Sequence, residues 1–279
     1  MTTSNISKLS SILKPLMPLL ATAYGVALIY VTALPLDHNI PGIGGELLSW
    51  LLTIAGIGLT LFLVFRVEPK MFPAVKQFPL RRPMFRVIAG VLLIAPLWFI
   101  TKGYVVYGLT SLVHTVQMDP LTYPMSELRE DLLASVHAVL LAPILEELCF
   151  RQMAISPFRR RGAQITVCVV MAILFGILHI RNFPGAFLDA IIYGMIFIWS
   201  RNIWYSIALH AAGNLTATLL AVYCGLGLGN LQMTNTPVII LPDTKAIVGS
   251  IVMAIVGILL ITRFLPSKLQ HQSGGFHCL

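Results

Sequence analysis

The segment Ala142-Pro-Ile-Leu-Glu-Glu-Leu-Cys-Phe-Arg151 limits the folds open to this chain more than any other. It sets Glu146, Glu147 and Arg151 in the inner half of an apolar run that otherwise reads as a membrane-spanning helix. One such charge near a bilayer centre costs roughly 2.5–3.5 kcal/mol on insertion scales. Three cost roughly 8–10 kcal/mol, about what some fifteen apolar residues return at roughly 0.3–0.6 each. Facing lipid, the helix is marginal at best. Its charges have to pair, point into a helix bundle or line a water-filled cavity, and charges so placed are functional candidates by default.

Composition supplies the setting. The chain has 279 residues, 57% hydrophobic and 11% charged, with a mean hydropathy of +0.85. Soluble domains are about 25% charged, so the expected fold class is an all-α polytopic membrane protein. A formal charge of +8 in a soluble chain would suggest nucleic acid. Here the excess is Lys and Arg in short loops, and no nucleic-acid partner is expected. Cys149, Cys168, Cys224 and Cys278 lack paired spacing, so neither a disulfide framework nor a zinc-thiolate site is predicted. Cys149 reads as a small buried hydrophobe.

Apolar runs of about 20 residues predict about eight spans. They lie near Ile12–Leu34, Leu47–Phe65, Val87–Tyr107, Leu132–Ile155, Ala163–Ile180, from Asn182 to Ser200, Ile203–Tyr223 and Ala246–Leu265. Ala21-Thr22-Ala23 resembles a signal-peptidase site, but Pro15 and Pro18 break the run before it and apolar residues continue past it. The first span is therefore read as uncleaved. With both termini cytoplasmic, the inner loops collect Lys8, Lys14, the basic residues between Arg66 and Arg86, Arg159–Arg161, Arg201, Arg263 and Lys268. Lys102, Arg129, Arg181 and Lys245 fall on the outer side, which satisfies the positive-inside rule. The expectation is a single membrane domain over residues 1–279, in a multi-pass protein of the cell membrane if the source is bacterial. Trp50, Trp98, Trp199 and Trp204 read as interfacial aromatics near span ends.

Polar groups recur at helical spacing on three spans. Glu147 and Arg151 are i and i+4 and can pair along one face. Glu146 is rotated by about 100° onto the neighbouring face. That leaves Glu146 the less compensated carboxylate, the one free to act as a general base. Phe175 and His179 share a face of the fifth span, and His210 and Asn214 share one of the seventh. A carboxylate, two imidazoles and a carboxamide meeting in one pocket can activate water and stabilise a tetrahedral oxyanion.

The three motifs, Glu146-Glu147-Leu-Cys-Phe-Arg151, Phe175-Gly-Ile-Leu-His179 and His210-Ala-Ala-Gly-Asn214, occur in this order on separate spans. The combination resembles the CPBP family of intramembrane proteases, which takes in Rce1-like CAAX endopeptidases and the bacteriocin-processing and self-immunity (Abi) proteins. Gln152 departs from the pattern, since many members have Gly there. The resemblance implies a catalytic core over approximately residues 132–225. In it Glu146 and His179 activate water, His210 and Asn214 form an oxyanion hole, Glu147 and Arg151 hold the architecture, and Phe175 packs beside the catalytic His. It also implies a substrate that is a membrane-associated protein or peptide in the lipid bilayer, reached from the cytoplasmic side. The family has been described as metal-dependent and as glutamate-type. Glu146, His179 and His210 could supply three zinc ligands, but the HExxH helix is absent, and the favoured reading needs no cofactor. A non-catalytic immunity or scaffold protein on the same fold is the alternative.

Depth poses one difficulty. At about 1.5 Å per residue, Glu146 lies roughly 22 Å from the outer end of its span, whereas His179 lies roughly 27 Å from the inner end of the fifth. The grouping then requires the fifth span to start inside the cytoplasm or to tilt. Asp189, in the sixth span, reads as a structural hydrogen bond or the wall of a hydrated cavity. His114 and His137 read as interfacial or packing residues.

Overall fold

The computed structural model describes residues 16, 20–28, 31, 43–67, 82–113, 115–120, 132, 134–229, 231–235 and 238–264. Most of the first span, the basic loop after the second, the acidic loop before the fourth, His114 and the C-terminal tail with Cys278 lie outside these residues.

Six helices among the described residues are long and apolar enough to cross a membrane. They belong to α1 (Ile43–Val67), α2 (Arg82–Ser111), α4 (Arg161–Leu178), α5 (Phe183–Ser200), α6 (Ile203–Gly225) and α7 (Thr244–Phe264). α3 (Ala142–Glu147) is the middle piece of the motif helix. The outward sides of α1 and α7 expose apolar groups such as Leu51, Phe62, Ile251, Ile255 and Leu259. Such surfaces suit hydrocarbon rather than water. The protein is an integral, multi-pass membrane protein.

The motif helix is helical from residue 134 to 155 but is not a plain α-helix. π-helical turns at His137–Leu141 and Leu148–Met153 flank α3. Pro143 gives a cause for the first. It has no N–H for the carbonyl four residues back and its ring would strike that carbonyl, so the ladder widens and Ala142 N–H reaches back to His137 O. Around the second turn the sequence has no proline, and we have no physical account of it. π-turns inside α-helices are frequent at functional sites, and here they bracket Glu146 and Glu147.

The core is centred on this helix. Leu145, Cys149, Phe150 and Ala154 pack with Met171, Ala172 and Phe175 of α4, with Ala186 and Ala190 of α5, and with Ala21. A Cβ on Gly25 would come 3.1 Å from Cys149 Cβ, so the first span is pressed onto the motif helix at its smallest side chains. Cys149 and Cys168 are buried free thiols. α4 and α5 are closer still, since a Cβ on Gly194 would overlap Cys168 Sγ.

A small antiparallel sheet, not anticipated from the sequence, joins the two ends of the α6–α7 connection to the segment after α2. Its order is β1 (Asp119–Pro120), β2 (Leu231–Asn235), β3 (Val238–Pro242). Met233 pairs with Asp119 on one side and Ile240 on the other. Ile239 and Leu241 bury their side chains with Val106 of α2. The sheet therefore lies over one end of the bundle, opposite the end that carries Arg159–Arg161 and Arg201.

Candidate active site

Glu147 is the hub of the buried charges, fully shielded from solvent. Its Oε1 is 3.0 Å from Arg151 Nη1, out of line for a hydrogen bond, and 2.9 Å from His210 Nδ1. Its Oε2 accepts the Ser206 hydroxyl, which also lies 3.1 Å from Tyr193 O. An ionised carboxylate can only accept, so His210 Nδ1 is the donor and the ring is fixed with Nε2 turned away from Glu147. That Nε2 lies 3.7 Å from Glu146 Oε2. One imidazole thus stands between adjacent carboxylates that helical geometry places on neighbouring faces. Glu147 orients the ring and Glu146 meets its free edge. Glu146 Oε2 is buried and has no hydrogen-bond partner among the described residues.

Phe175 connects the rest. Its ring stacks on His179 with centroids 4.4 Å apart and meets His210 edge-on at 5.9 Å. The Arg151 guanidinium lies over the same ring at 5.1 Å and over Tyr193 at 5.6 Å. Tyr193 in turn stacks on His210 at 4.9 Å. His179 ends α4 as its cap residue, with Nδ1 2.9 Å from Phe175 O, so that Nε2 is its free nitrogen. Both imidazoles therefore lie against one phenyl ring.

Asn214 is placed differently from the other motif residues. One amide N–H is given to Ala138 O at 2.7 Å. That carbonyl belongs to the first π-turn, where the widened ladder disturbs the usual intrahelical pairing. The bond leaves Asn214 one N–H for any other acceptor. Gln152, where the family pattern has Gly, is fully buried in the second π-turn with neither amide atom hydrogen-bonded among the described residues. His137 bonds Thr53 Oγ1 at 2.8 Å and is a helix-packing residue.

The sequence reading missed Ser206 and Tyr193. A signal for Ser206 was present, because Ser206, His210 and Asn214 recur at intervals of four. It also placed Lys102 and Trp98 wrongly. Both lie on the inward face of α2, where Lys102 pairs with Asp189 Oδ2 and Trp98 Nε1 donates to Asp189 Oδ1 at 2.9 Å. Lys102 is 8% exposed, so it is neither an outer-loop cation nor a topology signal, and Trp98 lies midway along the Phe85–Ser111 span rather than at its end.

Among the described residues, no three His, Cys, Asp or Glu side chains stand where they could hold one metal ion. Glu146, His179 and His210 form no such group among the described residues.

A search of the curated proteins and one of the solved structures returned no match. Residues 128–216, which include all the motif residues above, match the family model described as "Type II CAAX prenyl endopeptidase Rce1-like". Over those residues this multi-pass membrane protein is similar to the Rce1-like CAAX endopeptidases.

Proposed function

We propose that the chain hydrolyses a peptide bond of a membrane-associated protein or peptide within the bilayer, using water primed by Glu146. The observation that carries this reading is the pairing of one committed carboxylate with one uncommitted carboxylate around His210. A water can sit about 2.8 Å from both Glu146 Oε2 and His210 Nε2, since those atoms are close enough to share it. Its oxygen attacks the scissile carbonyl carbon and its proton passes to Glu146. With Nδ1 turned to Glu147, the Nε2 edge of His210 is placed to donate a hydrogen bond to the developing oxyanion, with the second amide N–H of Asn214 as a further donor. Collapse of the intermediate breaks the C–N bond, and the amine leaves with the proton that Glu146 took from the water. Glu147, Arg151, Ser206 and Phe175 hold these groups in position.

This reading requires no metal. The purified chain should cleave a quenched fluorescent farnesylated CAAX peptide at an unchanged rate in a strong zinc chelator. Glu146→Gln should lower that rate by about 10²–10⁴, the usual contribution of a positioned base. If the peptide is not cut, protein termini in membranes bearing the chain or Glu146→Gln provide the second test. The absence of Glu146-dependent cleavage in both assays would overturn the proposal in favour of a scaffold.

A further inference from the structure

A cavity of about 250 Å³ lies beside the candidate site, between α2, α5, α6 and β3. Its walls include Asn214 and Tyr193, the tyrosine whose ring stacks on His210. One aromatic ring thus separates the cavity from the imidazole, and Asn214 is one helical turn along from it. The cavity is on the sheet-covered half of the bundle, because Ile239 and Ile240 of β3 close one side. Gly103 allows this closure, since a Cβ there would come 2.9 Å from Ile240 O.

The polar equipment of the cavity is the buried pair Lys102–Asp189. Lys102 has three N–H groups and directs one to Asp189, and its ammonium rests over the Phe99 ring at 5.0 Å. Asp189 accepts from Lys102 and Trp98 and keeps further lone pairs. Together they present donors and acceptors side by side with no net charge. A carboxylate entering this space would bring an uncompensated charge into a poorly solvated site. A peptide amide brings none, and offers one acceptor and one donor. The volume would hold roughly eight waters at about 30 Å³ each, too small for a drug-sized ligand but enough for one residue.

We infer that this cavity is a substrate subsite that seats one uncharged residue next to the scissile bond, its backbone amide held between Lys102 and Asp189. The inference rests on the protease reading above and adds where the substrate lies and what it must be.

The test uses the full chain in lipid nanodiscs and farnesylated CAAX peptides with photo-leucine on one or the other side of the scissile bond. Glu146→Gln protein, which holds peptide without cutting it, is irradiated, digested and mapped. Label from one of the two peptides should fall within residues 99–106 or 239–240. Label confined to residues 151–161 and 197–204 overturns the inference while leaving the protease reading intact. A second measurement is independent of cross-linking. The double variant Lys102→Met, Asp189→Leu should raise KM about tenfold with kcat within about twofold, and an unchanged KM also overturns it. If the wild-type chain shows no Glu146-dependent cleavage in either assay above, the protease reading itself fails and the subsite with it.

Discussion

Two ionic clusters are buried in this helix bundle, and they are built on opposite plans. Around Lys102 and Asp189, one cation meets one anion and Trp98 covers the second carboxylate oxygen. Around Arg151, the guanidinium pairs with Glu147 alone, and Glu146 Oε2 has no hydrogen-bond partner among the described residues, only the edge of His210 at 3.7 Å. A closed pair in a membrane balances desolvation with attraction and has little left to react with. An open cluster retains an atom whose desolvation is uncompensated, which is the condition in which a carboxylate can work on water. On the proposals above, the cluster at Glu146 supplies the reactivity and the one at Lys102 the recognition.

Substitutions can break this contrast. The largest stability effect is expected at Glu147→Ala, which strands Arg151 and frees the His210 ring. Loss of about 3–5 kcal/mol is the usual result of removing one partner of a buried pair, to be read as a lower melting point in detergent. Next, Asp189→Leu alone should cost about 3 kcal/mol, and adding Lys102→Met should recover most of it, because the pair is self-contained. No second substitution should restore the rate lost at Glu146. Ser206→Ala removes a hydrogen bond to a charged group, worth about 1.5–3 kcal/mol. It should lower kcat with KM unchanged, because Ser206 acts through Glu147 and His210. The smallest effect is at Gly194→Ala, whose Cβ would overlap Cys168 Sγ. It should cost about 1–2 kcal/mol by overpacking, and Cys168→Ala should relieve it.

These residues also show how far the sequence could be read. Helix placement was legible because bilayer thickness sets a length that hydropathy detects. The motif pairs at intervals of four were legible because a helix brings such residues to one face. The link from His210 to both Glu146 and Glu147 was not, since it depends on how α6 packs against a helix distorted by two π-turns. Only Pro143 hinted at one of those. Lys102 and Asp189 are 87 residues apart, and no local spacing announces such a pair. The β2–β3 hairpin was hidden because, in a chain this apolar, Val238-Ile-Ile-Leu-Pro242 looks like any other hydrophobic run.

The central claim is a division of labour between adjacent glutamates, and one paired measurement addresses it. Glu146→Gln and Glu147→Gln are purified side by side, and each is assayed for melting temperature and for peptide cleavage. We predict that Glu146→Gln melts with the wild type and is inactive, while Glu147→Gln melts well below it. A Glu146→Gln protein that is folded and cuts at the wild-type rate would contradict the account.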